Sequence, residues 1–377
     1  MNQAAQVQSS VAVGTLYMAM EMSASKWKLA FGVGRGHRPR MKTIAAGDCV
    51  GLLAEIAKAK ARFGLEASAK VVSCYEMGRD GFWPHRFLSA QGITNLPIDA
   101  SSTQVDRRKR RAKTDRLDAE MLLSHLLRHA EGERKVFRIV QVPSPQAEDA
   151  RHIQRELEVL KRDRARVSNR IRSLLATQGV GVKSCRELLG KLDQTRIWDG
   201  SELRTGLAER LKKELQRWVE LTDSIREEEE RREQELQAGG FGADQARRLA
   251  QLKSIGDETA CSFSVECFAY RHFNNGREVG AYVGLTPTPF DSGESRREQG
   301  ISKAGNARLR WRAIEVSWLW QRYQPDSELT KWFKKRFANG SARQRRIGIV
   351  AMARKLVVAL WRYLEYGIVP EGATLKA

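Results

Sequence analysis

The chain has few cysteines and no long apolar run. Its five cysteines are odd in number and form no C-x-x-C pair, so the sequence predicts a reduced, cytoplasmic protein without a zinc site. The longest apolar stretch, Ile347 to Leu364, contains Arg354 and Lys355 and cannot span a bilayer. Residues 1–13 are polar and do not resemble a signal peptide. These absences argue against a secreted or membrane-embedded protein.

Positive charge is what the chain has in excess. Lys and Arg number 66 against 45 Asp and Glu, which gives a net charge of +21 over 377 residues. An enzyme that acts on small molecules seldom needs such an excess of positive charge, whereas a protein that binds nucleic acid uses it to neutralise the phosphate backbone. Nucleic acid is therefore the expected partner, and no membrane is expected. The length predicts about two or three domains.

Hydrophobic periodicity divides the chain into three parts. Residues 1–145 alternate short apolar strands with helical stretches, which predicts an α/β layer around a mixed sheet. Residues 146–240 contain two long amphipathic helices, which form either an antiparallel coiled-coil arm or a pair packed only on its own domain. Residues 241–377 read as a helix-rich C-terminal domain. The predicted class is α/β plus α.

The segment from Arg107 to Ala119 joins a basic run to two carboxylates. Asp115 and Asp118 are spaced i and i+3, so they project from one face of a helix. Cations hold a phosphate backbone and paired carboxylates hold a divalent metal, which indicates phosphodiester chemistry. The alternative is a solvated helix start with Asp in its first turn. The basic residues predicted to bind nucleic acid are Arg107, Arg108, Lys109, Arg110, Arg111 and Lys113.

Two further carboxylates follow apolar strands. Glu21 comes after the strand predicted at 16–20, and Glu76 comes after the one predicted to end at Tyr75. Carboxylates at the ends of adjacent strands, together with a pair on a packed helix, can converge on two metal ions and activate a displacement at phosphorus. Oxygen-only ligands favour Mg²⁺ or Mn²⁺. Taken singly, each acid is better explained as an exposed residue at a strand end, and only the combination indicates a metal site.

The order of these residues resembles a known motif. Glu21, then Val71 to Gly78, then Lys113 to Ala119 resemble the DEDD motif of the transposases named after insertion sequence 110, which are related to Piv-type DNA invertases. The resemblance implies a ribonuclease-H-like (RuvC-like) N-terminal domain, as in Holliday-junction resolvases. It also implies that Glu21, Glu76, Asp115 and Asp118 are metal ligands. One departure is Glu21, because the first acid of the family is usually Asp.

The C-terminal region carries the second half of the resemblance. Leu252 to Ala260 resembles the family's glycine-containing turn, a helix-hairpin-helix-like element suited to phosphate contact. Tyr282 to Pro287, Asp291-Ser292-Gly293 and Gly300 to Asn306 match the family's C-terminal pattern. In that pattern the serine before glycine is the nucleophile.

Ser292 is therefore the candidate nucleophile, and Ser302 is the alternative. Lys303 and Arg308 lie close to Ser292 in sequence and are candidate nucleic-acid contacts. The residues alone favour a turn role for Ser292 in the segment 289–293, whose composition is typical of turns, and the resemblance favours the nucleophile. Basic and aromatic residues also alternate between Lys331 and Lys355, as in a phosphate-binding surface or an amphipathic helix.

The resemblance implies a DNA transposase or recombinase whose active site is completed when two domains meet. Ser292 would form a 5′-phosphoserine link to DNA, a structured bridge RNA would guide the choice of donor and target DNA, and the protein would act as a dimer or tetramer. One alternative is a metal-dependent resolvase or nuclease that forms no covalent link. Another is a non-catalytic nucleic-acid-binding protein.

Overall fold

The structure is a computed structural model that describes residues 14–102, 114–292 and 295–376. The chain forms two compact units, divided between Val142 and Pro143. The basic run from Arg107 to Lys113 lies outside the described residues. None of the helices within the described ranges is long and apolar enough to cross a membrane.

The first unit is built on a five-stranded sheet. Its strands are β1 (Leu16–Met22), β2 (Lys26–Gly32), β3 (Arg40–Ala45), β4 (Val71–Glu76) and β5 (Thr94–Ile98). The strand order is β3-β2-β1-β4-β5. β1 pairs antiparallel with β2 and parallel with β4, and β5 runs parallel with β4. This mixed sheet confirms the predicted α/β class and is compatible with a ribonuclease-H-like domain.

Both faces of this sheet are buried because its strands carry apolar residues on alternate sides. Met18 and Met20 of β1 lie in a core shared with helix α1 (Cys49–Arg62) and helix α2 (Trp83–Ala90). Ala19 of β1 lies in a separate core formed with helix α3 (Asp115–Ala130). The helices therefore cover the two faces of the sheet.

The second unit begins with a helical arm. Helix α4 (Pro145–Ala176) and helix α6 (Thr205–Gln237) enclose a small core together with helix α5 (Cys185–Lys191). Arg170 pairs with Glu214 at 3.0 Å and Lys161 pairs with Glu229 at 2.7 Å. The later residue of α4 therefore pairs with the earlier residue of α6, so the two helices are antiparallel. Coiled-coil packing itself stays a prediction, as does the separation of this arm from residues 241–377.

The rest of the second unit is a helical core with one hairpin. Its elements are α7 (Ala243–Ala250), α8 (Asp257–Phe263), α9 (Gly276–Tyr282), β6 (Pro287–Ser292), β7 (Ser295–Ile301), α10 (Ala307–Tyr323), α11 (Glu328–Phe337) and α12 (Ala342–Tyr366). Trp320 of α10 and Met352 of α12 are fully buried in one core. The antiparallel hairpin β6–β7 was not predicted, because the prolines at 287 and 289 favour a turn over a strand.

Candidate active site

Glu21 and Glu76 lie on one face of the sheet at the same level. The parallel register of β1 and β4 pairs Ala19 with Cys74 and Met20 with Tyr75, so the next step brings Glu21 opposite Glu76. Side chains alternate along a strand, and both acids are two residues beyond Ala19 and Cys74. Ala19 and Cys74 belong to the core that includes α3. The two carboxylates therefore lie at the ends of neighbouring strands on the α3 face.

Helix α3 directs its first turn toward the same edge. Arg35, just after β2, pairs with Glu131 at the end of α3 at 3.2 Å. The end of β2 lies beside the start of β1, because Gly32 pairs with Tyr17. α3 thus runs antiparallel to β1, and its N-terminal end lies toward the end of β1 that carries Glu21.

Asp115 and Asp118 occupy that first turn. Thr114 caps the helix by accepting a hydrogen bond from the backbone N of Leu117 at 3.3 Å. Asp115 is four residues before Ala119 and Asp118 is four before Leu122, and both of those apolar residues are fully buried against the sheet. Residues four apart share a helix face. All four predicted acids are therefore brought to one edge of the sheet.

The four acids fit a divalent cation by their chemistry, since carboxylate oxygens are the ligands that Mg²⁺ and Mn²⁺ prefer. Across the described ranges, no three His, Cys, Asp or Glu side chains stand close enough to form a metal-binding group. The assignment of Glu21, Glu76, Asp115 and Asp118 as ligands thus stays a prediction.

Three residues near these acids are part of the core. Burial, and then the charge of Glu76, raise the pKa of the Cys74 thiol well above its ordinary value, so Cys74 stays protonated and is a poor ligand. The expectation from the sequence that the histidines form no H-x-x-x-H pair is wrong, since His125 and His129 have that spacing. Both are buried, and burial lowers the pKa of each imidazole. His129 stacks on Phe137 with ring centroids 4.8 Å apart, as a core side chain does.

Ser292 is the last residue of β6 and pairs with Ser295, the first residue of β7. Gly293 and Glu294, which connect the strands, lie outside the described residues. The role of Ser292 as nucleophile stays a prediction.

Backbone hydrogen bonds join the loop after β7 to the segment that follows α9. Ser302 N donates to the carbonyl of Thr286 at 2.8 Å, and Lys303 N donates to that of Gly284 at 3.1 Å. Gly284 has φ +68°, and a Cβ there would lie 2.5 Å from the carbonyl oxygen of Ala304. The base of the hairpin is therefore held rigidly. This role of glycine could not be inferred from the sequence, since it depends on which loops touch.

Of the two other predicted nucleic-acid contacts near Ser292, one is exposed and one is paired. Lys303 is exposed and has φ +55°. The guanidinium of Arg308 forms an ion pair with Glu158 of α4. Arg308 therefore links α10 to the arm, and its contact with nucleic acid stays a prediction. Where the helix-hairpin-helix-like element was predicted, α7 and α8 are joined by a turn with Ser254 at φ +82°, and the motif itself stays a prediction.

A buried carboxylate, that of Glu266, lies next to the start of α10. Arg155 Nε and Nη2 donate to the carboxylate of Glu266 at 2.7 and 3.1 Å, and Asn306 Nδ2 donates to it at 3.2 Å. Burial acts to raise the pKa of Glu266, but the hydrogen bonds and charge of Arg155 outweigh burial, and the pKa lies below its ordinary value. Sequence analysis missed this group, because Arg155 and Glu266 lie far apart in the chain.

We expect Glu266→Gln to lower the free energy of unfolding of the second unit by about 2 kcal/mol at pH 7, since a charged hydrogen-bond partner is lost. The stabilisation is present above the unfolded pKa of about 4.3 and is lost as the pH falls through the lower folded value. Denaturant unfolding followed by tryptophan fluorescence at pH 7 and at lower pH measures it. Glu227→Gln, an exposed control on α6, should change little. Equal effects of the two substitutions would contradict the prediction.

Comparison with known proteins decides the family. A model described as the transposase IS116/IS110/IS902 family matches residues 246–331, and a DEDD transposase model of the IS110 group matches residues 48–178. The chain is 40% identical over 380 residues to "Putative transposase y4rJ" of Sinorhizobium fredii, covering 97% of this chain and 95% of that protein. The chain belongs to the IS110 family of transposases.

Two more distant relatives support the assignment. This transposase is 26% identical over 256 residues to the transposase for insertion sequence element IS1111A of Coxiella burnetii, covering 67% of this chain and 66% of that protein. It is 25% identical over 261 residues to the transposase for IS1328 of Yersinia enterocolitica, covering 68% and 73%. The transposase is thus an enzyme that cleaves and rejoins DNA, and its DEDD domain indicates a divalent metal cofactor.

The two family models cover most of the candidate site. Glu76, Asp115 and Asp118 lie within the DEDD match, and Ser292 lies within the C-terminal match. Glu21 precedes both matched segments. Its place in the site rests on the register of β1 with β4.

Proposed function

We propose that this transposase cuts DNA by direct attack of Ser292 on a phosphodiester, aided by the acids Glu21, Glu76, Asp115 and Asp118. The proposal is supported by the β1–β4 register, which puts Glu21 and Glu76 on one face of the sheet, and by the direction of α3, whose first turn contains Asp115 and Asp118. A divalent cation bound between carboxylates offsets their mutual repulsion. Ser292, at the tip of a hairpin in the second unit, supplies the hydroxyl.

The covalent step balances without a further reagent. Ser292 Oγ forms a bond to phosphorus, the bond from phosphorus to the 3′ oxygen breaks, and the serine proton is in effect transferred to the departing 3′ hydroxyl. The product is a 5′-phosphoserine link. Attack by a 3′ hydroxyl of another strand reverses the step, joins the new strand and restores Ser292. One phosphodiester is exchanged for another, so no energy source is needed.

The residues of the chain have separate tasks in this scheme. The acids would hold a divalent cation, Mg²⁺ or Mn²⁺, which stabilises charge on the phosphate oxygens when bound. The exposed cation of Lys303 would hold the DNA backbone near Ser292. The run Arg107–Lys113, directly before Asp115, would hold the strand beside the acids.

Capture of the covalent link tests the proposal. Full-length protein incubated with DNA containing the ends of its element should give an adduct that withstands denaturation, is destroyed by protease and blocks the 5′ end. Mass spectrometry should place the nucleotide on the peptide containing Ser292. A resolvase or nuclease that uses water would cut the DNA and give no adduct, and that result would overturn the proposal.

The chain carries a net charge of +21, and its positively charged surface attracts polyanions of any class. We therefore propose that a structured guide RNA shares this surface and that a dimer or tetramer assembles on it, as the family resemblance implies. Protein purified from cells that contain the whole element should retain one defined RNA, detected by sequencing the bound nucleic acid. Retention of only random cellular RNA would contradict the guide, and a monomer on its DNA would contradict the assembly.

A further inference from the structure

A groove of about 1780 Å³ lies in the second unit, lined by α12, the base of the β6–β7 hairpin and the start of α9. The α12 residues that line it recur every three or four positions from Arg343 to Tyr366, so they form one face of the helix. At 1.5 Å per residue, this face is about 35 Å long. The groove is thus long enough for an extended polymer.

The lining is strongly basic. Seven lysines and arginines line the groove, and among the side chains that the structure describes no Asp or Glu does so. Arg277 and Lys303 stand apart from α12, which supplies the other five, Arg343, Arg346, Arg354, Lys355 and Arg362. Within the described part of the chain, Arg343, Arg346 and Arg362 have no carboxylate within ion-pair distance. Such a surface complements a chain of phosphates.

The groove also has an apolar component. Ile347, Tyr366 and Ile368 line it and are 53%, 60% and 56% exposed. Tyr366 packs edge-on against Trp361 with centroids 5.6 Å apart, which orients its ring. A duplex presents phosphates and sugars to such a surface, whereas a single strand also presents the faces of its bases. The combination of cations with exposed apolar side chains favours a single strand over a duplex.

The groove is continuous with the hairpin that carries Ser292. Pro287, the first residue of β6, and Gly300 and Ile301, near the end of β7, line the groove. Ser292 is five residues further along β6, about 17 Å at 3.3 Å per residue. We propose that the groove holds a single-stranded segment of the DNA next to the phosphodiester that Ser292 attacks. This inference rests on the proposed function.

Removal of charge from the groove tests this assignment. The triple variant Arg343→Gln, Arg346→Gln, Arg362→Gln of the full-length protein is titrated with a 20-nucleotide single-stranded DNA, and anisotropy reports binding. Loss of three phosphate contacts should weaken binding about 100-fold at 0.1 M salt and make the slope of log affinity against log salt shallower by about 2. Tyr366→Ala should weaken single-strand binding about tenfold and leave duplex binding unchanged.

The matched control removes the same charge outside the groove. Lys334→Gln, Lys335→Gln, Arg345→Gln changes exposed cations of α11 and α12 that do not line it. This control should bind single-stranded DNA nearly as the parent does. Equal losses in both triple variants, or tighter binding of duplex than of single strand by the groove, would overturn the proposal. A preference for RNA of the same sequence that the groove variant abolishes would also overturn it, by assigning the groove to RNA.

These results separate the groove from the chemistry of Ser292. Binding is measured with the Ser292→Ala protein, which makes no link in the proposed scheme. If that protein transfers strands at the parent rate and the groove variant loses binding, only the proposed chemistry fails. If the groove variant binds as the parent does and Ser292→Ala makes no adduct, only the groove proposal fails.

Discussion

Ser292→Ala should abolish both strand transfer and the protein–DNA adduct. The side chain provides the only oxygen that would bond to phosphorus in the proposed step, and alanine has none. Loss of a nucleophile from an enzyme lowers its rate by several orders of magnitude, so a decrease of at least about 10³-fold is expected. Transfer is measured with element-end DNA under single-turnover conditions, and the adduct is measured on denaturing gels. Binding of the DNA should remain, since the hydroxyl is small.

Two neighbouring serines provide the controls. Ser295 is the direct partner of Ser292 in the hairpin register, so Ser295→Ala tests the same strand pair without touching the candidate nucleophile. Its activity should stay within about threefold of the parent, since the proposed step does not use its hydroxyl. Ser302 lies at the base of the hairpin, where its backbone N donates to Thr286. If Ser302→Ala loses the adduct while Ser292→Ala keeps it, Ser302 is the nucleophile and Ser292 is a turn residue.

Glu76→Gln and Asp118→Asn should each lower the rate of strand transfer by at least about 100-fold, the cost of losing one group that stabilises a developing charge. Each change replaces a carboxylate by a neutral amide of nearly the same shape. Both variants should also bind Mn²⁺ more weakly, which electron paramagnetic resonance measures without any reaction. DNA binding should be retained or strengthened, since the protein loses a negative charge.

Glu120→Gln is the matched control on the same helix. Glu120 lies two residues after Asp118 and pairs with Arg116 at 2.9 Å, so it points away from the residues that face the sheet. It should transfer strands and bind Mn²⁺ as the parent does. If Glu76→Gln and Asp118→Asn leave transfer unchanged, the acids are incidental and the metal assignment is wrong.

The sequence predicted the N-terminal sheet well because its strands are short apolar runs with helices between them. β1, β4 and α3 were all expected, and the acids at their ends could be assigned by residue type. The relation between Glu21 and Glu76 needed the structure, because a strand shift of one residue would place one acid on the opposite face. The structure adds the parallel register and the direction of α3.

The C-terminal region was harder to predict because its key features are contacts between distant segments. The prolines of β6 indicated a turn, so the hairpin was not predicted. Its strands pair locally, but its base is held by contacts between Gly284 and the loop after β7. The stretch from Lys331 to Lys355 looked equally like a core helix and a phosphate surface. In the structure α12 has two faces, since Met352 is buried in the core while Arg343 lines the groove.

The first half of helix α4 is bonded to the helical core. Arg151, Arg155, Glu158 and Lys161 tie one face of its first half to the helical core through Val265, Glu266, Arg308 and Glu258. The helix then continues for 15 residues to Ala176, about 22 Å beyond the last of these contacts. A rotation of about 5° at the fixed half would move the far end by about 2 Å. The ion pair between Glu158 and Arg308 would pass such a rotation to the start of α10, the helix that follows the hairpin carrying Ser292.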